Sequence, residues 1–418
     1  MVFEREKGLT VFDGAIGTEV QKRAPDASDN LTELLNLKRP EIIKNIHLDY
    51  LRAGAHFLTT NTFSANGIRL ARSNHSEKLG AINEKGVLLA KQAIEEYSEP
   101  GEELFVAGSI GPTGETLVPL GDSYFEDFYE TFHDQAKALR GAGADWLIIE
   151  TMESLREAKA ALIAALEVGL PIISSLSYGE RGRTSYGVEP EAGGVTLERL
   201  GCNVLAMNCG TGPGPYPELI RKYSEFTEKP LLAEANAGTP ELKEEEVIYE
   251  MRPEEYVERI EPGLPYLSGV GSCCGSDPNF TELLAEIAPQ SGVQGERSGE
   301  QRRYISNNAS VVNLDDGVDF AEIEVTGNGL DDISNELGRK QVNMLRFENI
   351  AASGEKLEKS LSRSFLRLRT GKPAGIVTGD PEQLRTFLKS YPGIAPVEAT
   401  GNKTRIRKVA EKYGGLLI

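Results

Sequence analysis

Eight short β-rich runs recur between residues 9 and 288, and most of the segments between them carry apolar residues at helical spacing. The runs are Leu9–Phe12, His56–Thr60, Leu104–Gly108, Trp146–Ile149, Ile172–Leu176, Val204–Met207, Leu231–Ala233 and Tyr266–Val270. The helical segments are Pro40–Leu51, Ile82–Ile94, Phe125–Leu139, Leu155–Leu166, Pro217–Phe226 and Pro278–Ile287, with a short one near Thr196–Leu200. Strand and helix alternating eight times over such a span is the pattern of an α/β chain closed into a (β/α)8 TIM barrel, whose usual size is ~250 residues. An open doubly wound sheet would alternate in the same way, but the glycines of Asp13-Gly14-Ala15-Ile16-Gly17-Thr18 do not have the spacing of a dinucleotide fingerprint.

The barrel is expected over residues 1–290. The polar, glycine-rich stretch 288–299 lacks periodicity and reads as a linker. A smaller α/β domain is expected over 300–418, with strands at Ile323–Val325, Gly375–Thr378, Ala395–Glu398 and Leu416–Ile418 and helices at Asp332–Leu345, Pro381–Leu388 and Lys403–Tyr413. It is too short for a second complete barrel.

Composition narrows the function classes. The formal net charge of −19 is spread along the chain, which argues against a nucleic-acid footprint. No apolar run approaches the ~18 residues of a membrane span, and the charged N-terminus does not read as a signal peptide, so a cytoplasmic location is expected. Four cysteines do not make a disulfide scaffold in a chain of 418 residues; in a reducing compartment, clustered cysteines are more often metal ligands or catalytic groups.

In such a barrel the C-terminal ends of the strands converge on one mouth. They bring there Asp13, Thr60, Asn61, Ser109, Glu150, Ser177, Asn208, Cys209, Glu234, Asn236, Cys273 and Cys274, while Cys202 precedes its strand and falls at the other end. Cys209, Cys273 and Cys274 can supply three thiolates to one Zn²⁺ and leave a fourth position open, the catalytic arrangement. The alternative is that they are small core residues. All four histidines lie away from strand C-termini. A thiolate-rich site favours a sulfur ligand and keeps it electron-rich, which points to alkylation of a thiol and not to hydrolysis.

Asp13 and Glu150 are placed to grip a cationic group such as an α-ammonium; a helix N-cap and a salt-bridge partner are their alternatives. The backbone amides of Gly14, Ala15, Ile16, Gly17 and Thr18 can take a carboxylate or simply form a tight turn. Asn236 either reaches the metal or completes a loop.

Seven motifs then resemble the homocysteine S-methyltransferase family, which includes the homocysteine domain of cobalamin-dependent methionine synthase and betaine homocysteine methyltransferase. They are Asp13 to Thr18, Thr60-Asn61-Thr62-Phe63, Gly108-Ser109-Ile110-Gly111-Pro112, Glu150-Thr151-Met152, Asn208-Cys209-Gly210-Thr211-Gly212-Pro213, Asn236-Ala237-Gly238-Thr239-Pro240 and Gly271 to Pro278. The resemblance spans roughly residues 8–288 and implies zinc on the three cysteines, homocysteine as methyl acceptor, and Asp13 and Glu150 on its amino group. Ala235 stands where the family often has proline. The C-terminal segment is faintly similar to part of a pterin-binding barrel, but Val377-Thr378-Gly379-Asp380 lacks the Asp-Ser-Ser expected there. A methylcorrinoid on a separate protein is the leading donor, with methyltetrahydrofolate, betaine and S-methylmethionine as alternatives. A non-catalytic zinc scaffold or sensor is the rival function, and homo-oligomerisation is left open.

Overall fold

The structure, a computed structural model, describes residues 3, 8–27, 31–97, 103–243, 246–291, 303–326, 342–348, 354–367 and 372–418. Eight parallel strands form one sheet: β1 Thr10–Val11, β2 Phe57–Thr59, β3 Phe105–Ile110, β4 Trp146–Met152, β5 Ile172–Leu176, β6 Val204–Cys209, β7 Leu231–Ala235 and β8 Gly269–Ser272. Each pairs with its sequence neighbours, and β8 pairs with β1. The Phe12–Phe57 bridge closes β1 onto β2, with the His56 N–H donating to the Val11 carbonyl at 2.8 Å. The expected (β/α)8 barrel is therefore present.

The end of the barrel opposite the mouth is filled by side chains. Phe12 and Phe57 stack at 4.5 Å between centroids, and Ala107, Ile148, Ile173, Val204, Ala206 and Leu232 pack beside them, all buried. Inward-pointing residues from successive strands must fill a small barrel's interior. This apolar plug forces any cavity to the other end.

Two local expectations change within the barrel. Residues 16–23 form helix α1, Ile16–Arg23, and not a simple turn. The helix after β5 is not short: following α2, Leu155–Leu166, helix α3 runs Pro190–Leu200, eleven residues, because Pro190 at its first turn starts it early and Gly201 in the left-handed conformation ends it.

A second parallel sheet holds β9 Phe320–Thr326, β10 Val342–Glu348, β11 Ala374–Thr378, β12 Ala395–Ala399 and β13 Gly415–Leu417 in that spatial order. Helices α4 Gly354–Arg367, α5 Pro381–Ser390 and α6 Lys403–Tyr413 connect its strands. The expected helix Asp332–Leu345 is corrected at its end: 342–345 belong to β10, paired on both sides by β9 and β11, and 332–341 lie outside the described residues. Of the expected linker, Ala288–Gln290 forms a 3-10 turn and 292–299 lie outside the described residues.

The two sheets meet through α2. Arg156 donates to the Val118 and Lys389 carbonyls at 2.7 and 3.1 Å and to Glu358 at 2.9 Å; Glu358 also accepts from the Phe125 N–H at 3.0 Å. Lys159, fully buried, donates to the carbonyls of Leu388, Tyr391 and Gly393 at 2.9, 3.2 and 3.3 Å. Among the described residues, no helix is long and apolar enough to cross a membrane.

Candidate active site

A cavity of about 350 Å³ opens at the C-terminal ends of the strands, lined by Asp13 to Thr18, Ser109, Glu150, Asn208, Glu234 and the three cysteines among others. Cys209, Cys273 and Cys274 place their sulfurs within 4.8 Å of one another, with 3.9 Å between those of Cys209 and Cys274. Four ligands at ~2.3 Å around a tetrahedral ion are separated by ~3.8 Å, so the sulfurs stand at about the spacing zinc requires. Cys209 (φ +59°) and Gly210 (φ +69°) end β6 in two successive left-handed residues. A Cβ at Gly210 would lie 2.1 Å from the Tyr178 carbonyl oxygen, so only glycine fits that turn.

The Cys273-Cys274 pair is clasped on two sides. The Cys273 N–H donates to the Ala235 carbonyl (2.7 Å) and the Cys274 carbonyl accepts from Ala237 (2.9 Å), tying the pair to the end of β7. The Gly275 N–H donates to Thr18 Oγ1 (3.0 Å) and Ser276 Oγ accepts from the Ala15 N–H (3.2 Å), tying the same loop to α1. The thiols of Cys209 and Cys273 bond to the Cys274 sulfur and push its pKa down, against the effect of burial. Cys202 is buried before β6, away from the other three, and burial pushes its thiol up.

Asp13 does not cap a helix. The N-cap of α1 is Ala15, with no side-chain cap, while Asp13 Oδ2 accepts the Thr59 N–H at 2.8 Å. Burial raises its carboxyl to about 8, the Thr59 bond opposing and Glu150 adding to the rise. Glu150 has no salt bridge among the described residues. It accepts from Ser109 Oγ at 2.5 Å and from Asn208 Nδ2 at 3.1 Å, and burial raises it to about 7 against those two bonds. Ser109 thus holds Glu150 in place.

The strand register shifts between Ile149 and Met152, and Thr151 sits at φ +59°, a conformation that costs a non-glycine residue roughly 1–2 kcal/mol. Asn208 offsets this cost. It accepts the Thr151 N–H (2.8 Å) and the Ser175 hydroxyl (2.6 Å), and donates to Thr151 Oγ1 (2.9 Å) and, more weakly, to the Cys273 sulfur (3.9 Å).

Gly14 passes so close to Tyr50 and Ser276 that a Cβ would stand 2.8 Å from each hydroxyl. The Ala15 amide already bonds Ser276, so of the expected amides those of Gly14, Ile16, Gly17 and Thr18 are left for an anion, the last three forming the uncapped first turn of α1, which faces the cavity. Asn236 is buried; its Nδ2 donates to the Gly210 carbonyl at 3.3 Å and its Oδ1 has no partner among the described residues. The sequence puts Asn208 and Glu234 at strand ends without a role, and Thr151 and Ser276 enter only as members of the family motifs, likewise without a role. The available signal was a polar residue interrupting an apolar strand, as in Leu231-Leu232-Ala233-Glu234.

A family model described as homocysteine S-methyltransferase matches residues 10–288. The chain is 29% identical over 327 residues to methionine synthase of Mycobacterium leprae (strain TN), covering 75% of this chain and 27% of that protein. Against methionine synthase of Mycobacterium tuberculosis it is 29% identical over 328 residues, with the same coverages. It therefore spans about a quarter of the length of these curated relatives. Among solved structures, the oxidized form of the homocysteine methyltransferase MmuM from Escherichia coli matches with a TM-score of 0.56 and 25% identity, over 66% of this chain and 95% of that one. The metallated form of MmuM matches in fold with the same TM-score at 24% identity, over 67% of this chain and 96% of that one.

Proposed function

Since the chain belongs to the homocysteine S-methyltransferase family, we propose that it is a zinc-dependent enzyme that methylates the sulfur of homocysteine to give methionine. The observation that carries this reading is the group of three sulfurs within 4.8 Å of one another, open to a cavity that also holds buried carboxyls. The donor set suits zinc by type, number and spacing, and Asn236 Oδ1 is a spare oxygen on a residue tied to the turn after Cys209. Zinc on Cys209, Cys273 and Cys274 would supply the Lewis acidity that keeps a substrate sulfur deprotonated at neutral pH.

The chain's own residues do the rest. Asp13 and Glu150 hold the substrate ammonium, with Ser109 and Asn208 fixing Glu150. The first-turn amides Ile16 to Thr18 hold its carboxylate. With both ends of the amino acid fixed, the sulfur lone pair attacks the methyl carbon in line, and the bond to the donor breaks with its electron pair leaving on the donor. No covalent intermediate on the protein is needed.

The donor is a methylcorrinoid, a reading supported by the similarity to methionine synthases. The residues from about 300 onward form a second unit that caps α2 or receives the donor's carrier, and the enzyme works in the cytoplasm. Zinc analysis together with parallel turnover assays tests the reading, each assay offering homocysteine with methylcorrinoid protein, methyltetrahydrofolate, betaine or S-methylmethionine. One zinc per chain and methionine from the corrinoid donor are expected. A zinc-free protein with full activity would overturn the mechanism, and turnover with another donor alone would replace the donor.

A further inference from the structure

Asp13, Glu150 and Glu234 face one cavity, and the chain provides for them unequally. Asp13 receives the Thr59 N–H and Glu150 receives Ser109 and Asn208. Glu234 is only 6% exposed and lines the same cavity, yet its carboxyl has no hydrogen-bond donor among the described residues. Its oxygens are not sealed in the interior but open on the cavity, where no protein donor replaces water, so an unprovided carboxyl there points to a donor that arrives with a ligand.

Its position says which ligand. Glu234 pairs across the sheet with Asn208 on β6 and Gly271 on β8, so it stands between the strand that ends in Cys209 and the one that Cys273 and Cys274 follow. A Cβ at Gly271 would lie 3.2 Å from Glu234 Oε1 and Cγ, and the glycine leaves the carboxyl its room. In homocysteine the nitrogen is four bonds from the sulfur. A sulfur held at the cysteines therefore brings the ammonium within reach of the wall between them.

We propose that Glu234 is the carboxyl that accepts directly from the substrate ammonium and makes the site select an amino-acid thiol over the same thiol without its amine. Asp13 and Glu150 flank that contact and share its charge. This rests on the homocysteine reading above and names the residue that sets its specificity.

Cobalt-substituted full-length protein gives a test that needs no methyl donor, since a thiol reaching the metal changes its absorption. Homocysteine and 4-mercaptobutanoate, the same chain without the amine, are titrated into wild type and E234Q. Wild type should prefer homocysteine at least tenfold, the factor lost with roughly one charged hydrogen bond. E234Q should keep its metal content and its affinity for 4-mercaptobutanoate while the preference falls at least about threefold, Asp13 and Glu150 holding what remains. A preserved preference, or an equal loss for both thiols, overturns the proposal. If E234Q does not fold, E234D, which keeps the charge one methylene farther back, must weaken homocysteine alone; unchanged or equally weakened binding overturns it. A wild-type spectrum indifferent to homocysteine instead defeats the homocysteine reading itself.

Discussion

The barrel mouth and the surface where α2 meets the second sheet both bury charge, and they treat it in opposite ways. At α2 the chain satisfies its own cations: Lys159 reaches three carbonyls, and Arg156 reaches two carbonyls and Glu358. Burial and the neighbouring Arg156 push Lys159 down to about 7, and the three carbonyls give its proton somewhere to point. At the mouth, burial lifts Asp13, Glu150 and Glu234 toward neutrality, with few chain donors to hold their charge. Buried charge met from within reads as architecture. Buried charge left wanting reads as a binding site.

That contrast can be broken most severely at the metal ligands. Cys273→Ala should abolish zinc binding and lower turnover at least ~10³-fold, because a two-sulfur site no longer holds the ion, while the fold, supported by the apolar plug, stays intact by circular dichroism. Next in size, Arg156→Met should destabilise the protein by about 3–5 kcal/mol in chemical denaturation, since it strands Glu358 in the interior, yet leave homocysteine affinity in the folded fraction unchanged. If that variant lost homocysteine binding at constant metal content, the two regions would not be separate in role.

A smaller effect separates them by pH. Asp13 and Glu150 bind protons more tightly folded than unfolded, so between about pH 4 and 8 the folded state carries the extra protons and stability falls as pH rises through 7 and 8. The metal-free protein should accordingly melt ~2–4 °C lower at pH 8.5 than at pH 6 for each kcal/mol lost, and Asp13→Asn should flatten that decline; an unchanged slope in the variant would show that Asp13 is not its source. The smallest effect is expected at Lys389, whose exposed partner Glu126 gives an ion pair at the edge of the same interface. Lys389→Met should shift stability by less than about 1 kcal/mol.

The barrel was legible because its signal is local. Each of the eight runs is short, apolar and bounded by helical spacing, and each overlaps a strand, although the eighth strand begins only at Gly269 because Tyr266 ends a 3-10 helix. Where pairing decides the matter, the sequence misleads: Val342, Leu345 and Phe347 suit a helix or a strand equally, and only the presence of β9 and β11 on either side makes 342–348 extended. Helix α4 lies outside the helices expected from the sequence, although Leu357, Leu361 and Phe365 stand four residues apart along it. At the site, the cysteines, Asp13 and Glu150 follow from their places at strand ends. The bond partners do not, because which of Thr59, Ser109 or Asn208 meets a given carboxyl depends on strand register and on the bulge in β4. Glu234 is visible in the sequence as a carboxylate in an apolar strand, but its want of a partner exists only in three dimensions.

Asn208 touches Glu150, Thr151, Ser175 and Cys273 with one side-chain amide. In the proposed mechanism, the grip on the amino acid and the grip on the metal would therefore share a single component. A mutational path that retunes amine recognition through this residue must pass through forms with an altered sulfur environment, so the two properties can drift only together. New thiol specificities are then more accessible from Glu234 or the α1 turn, which line the cavity without bonding a cysteine, than from the hub beneath them.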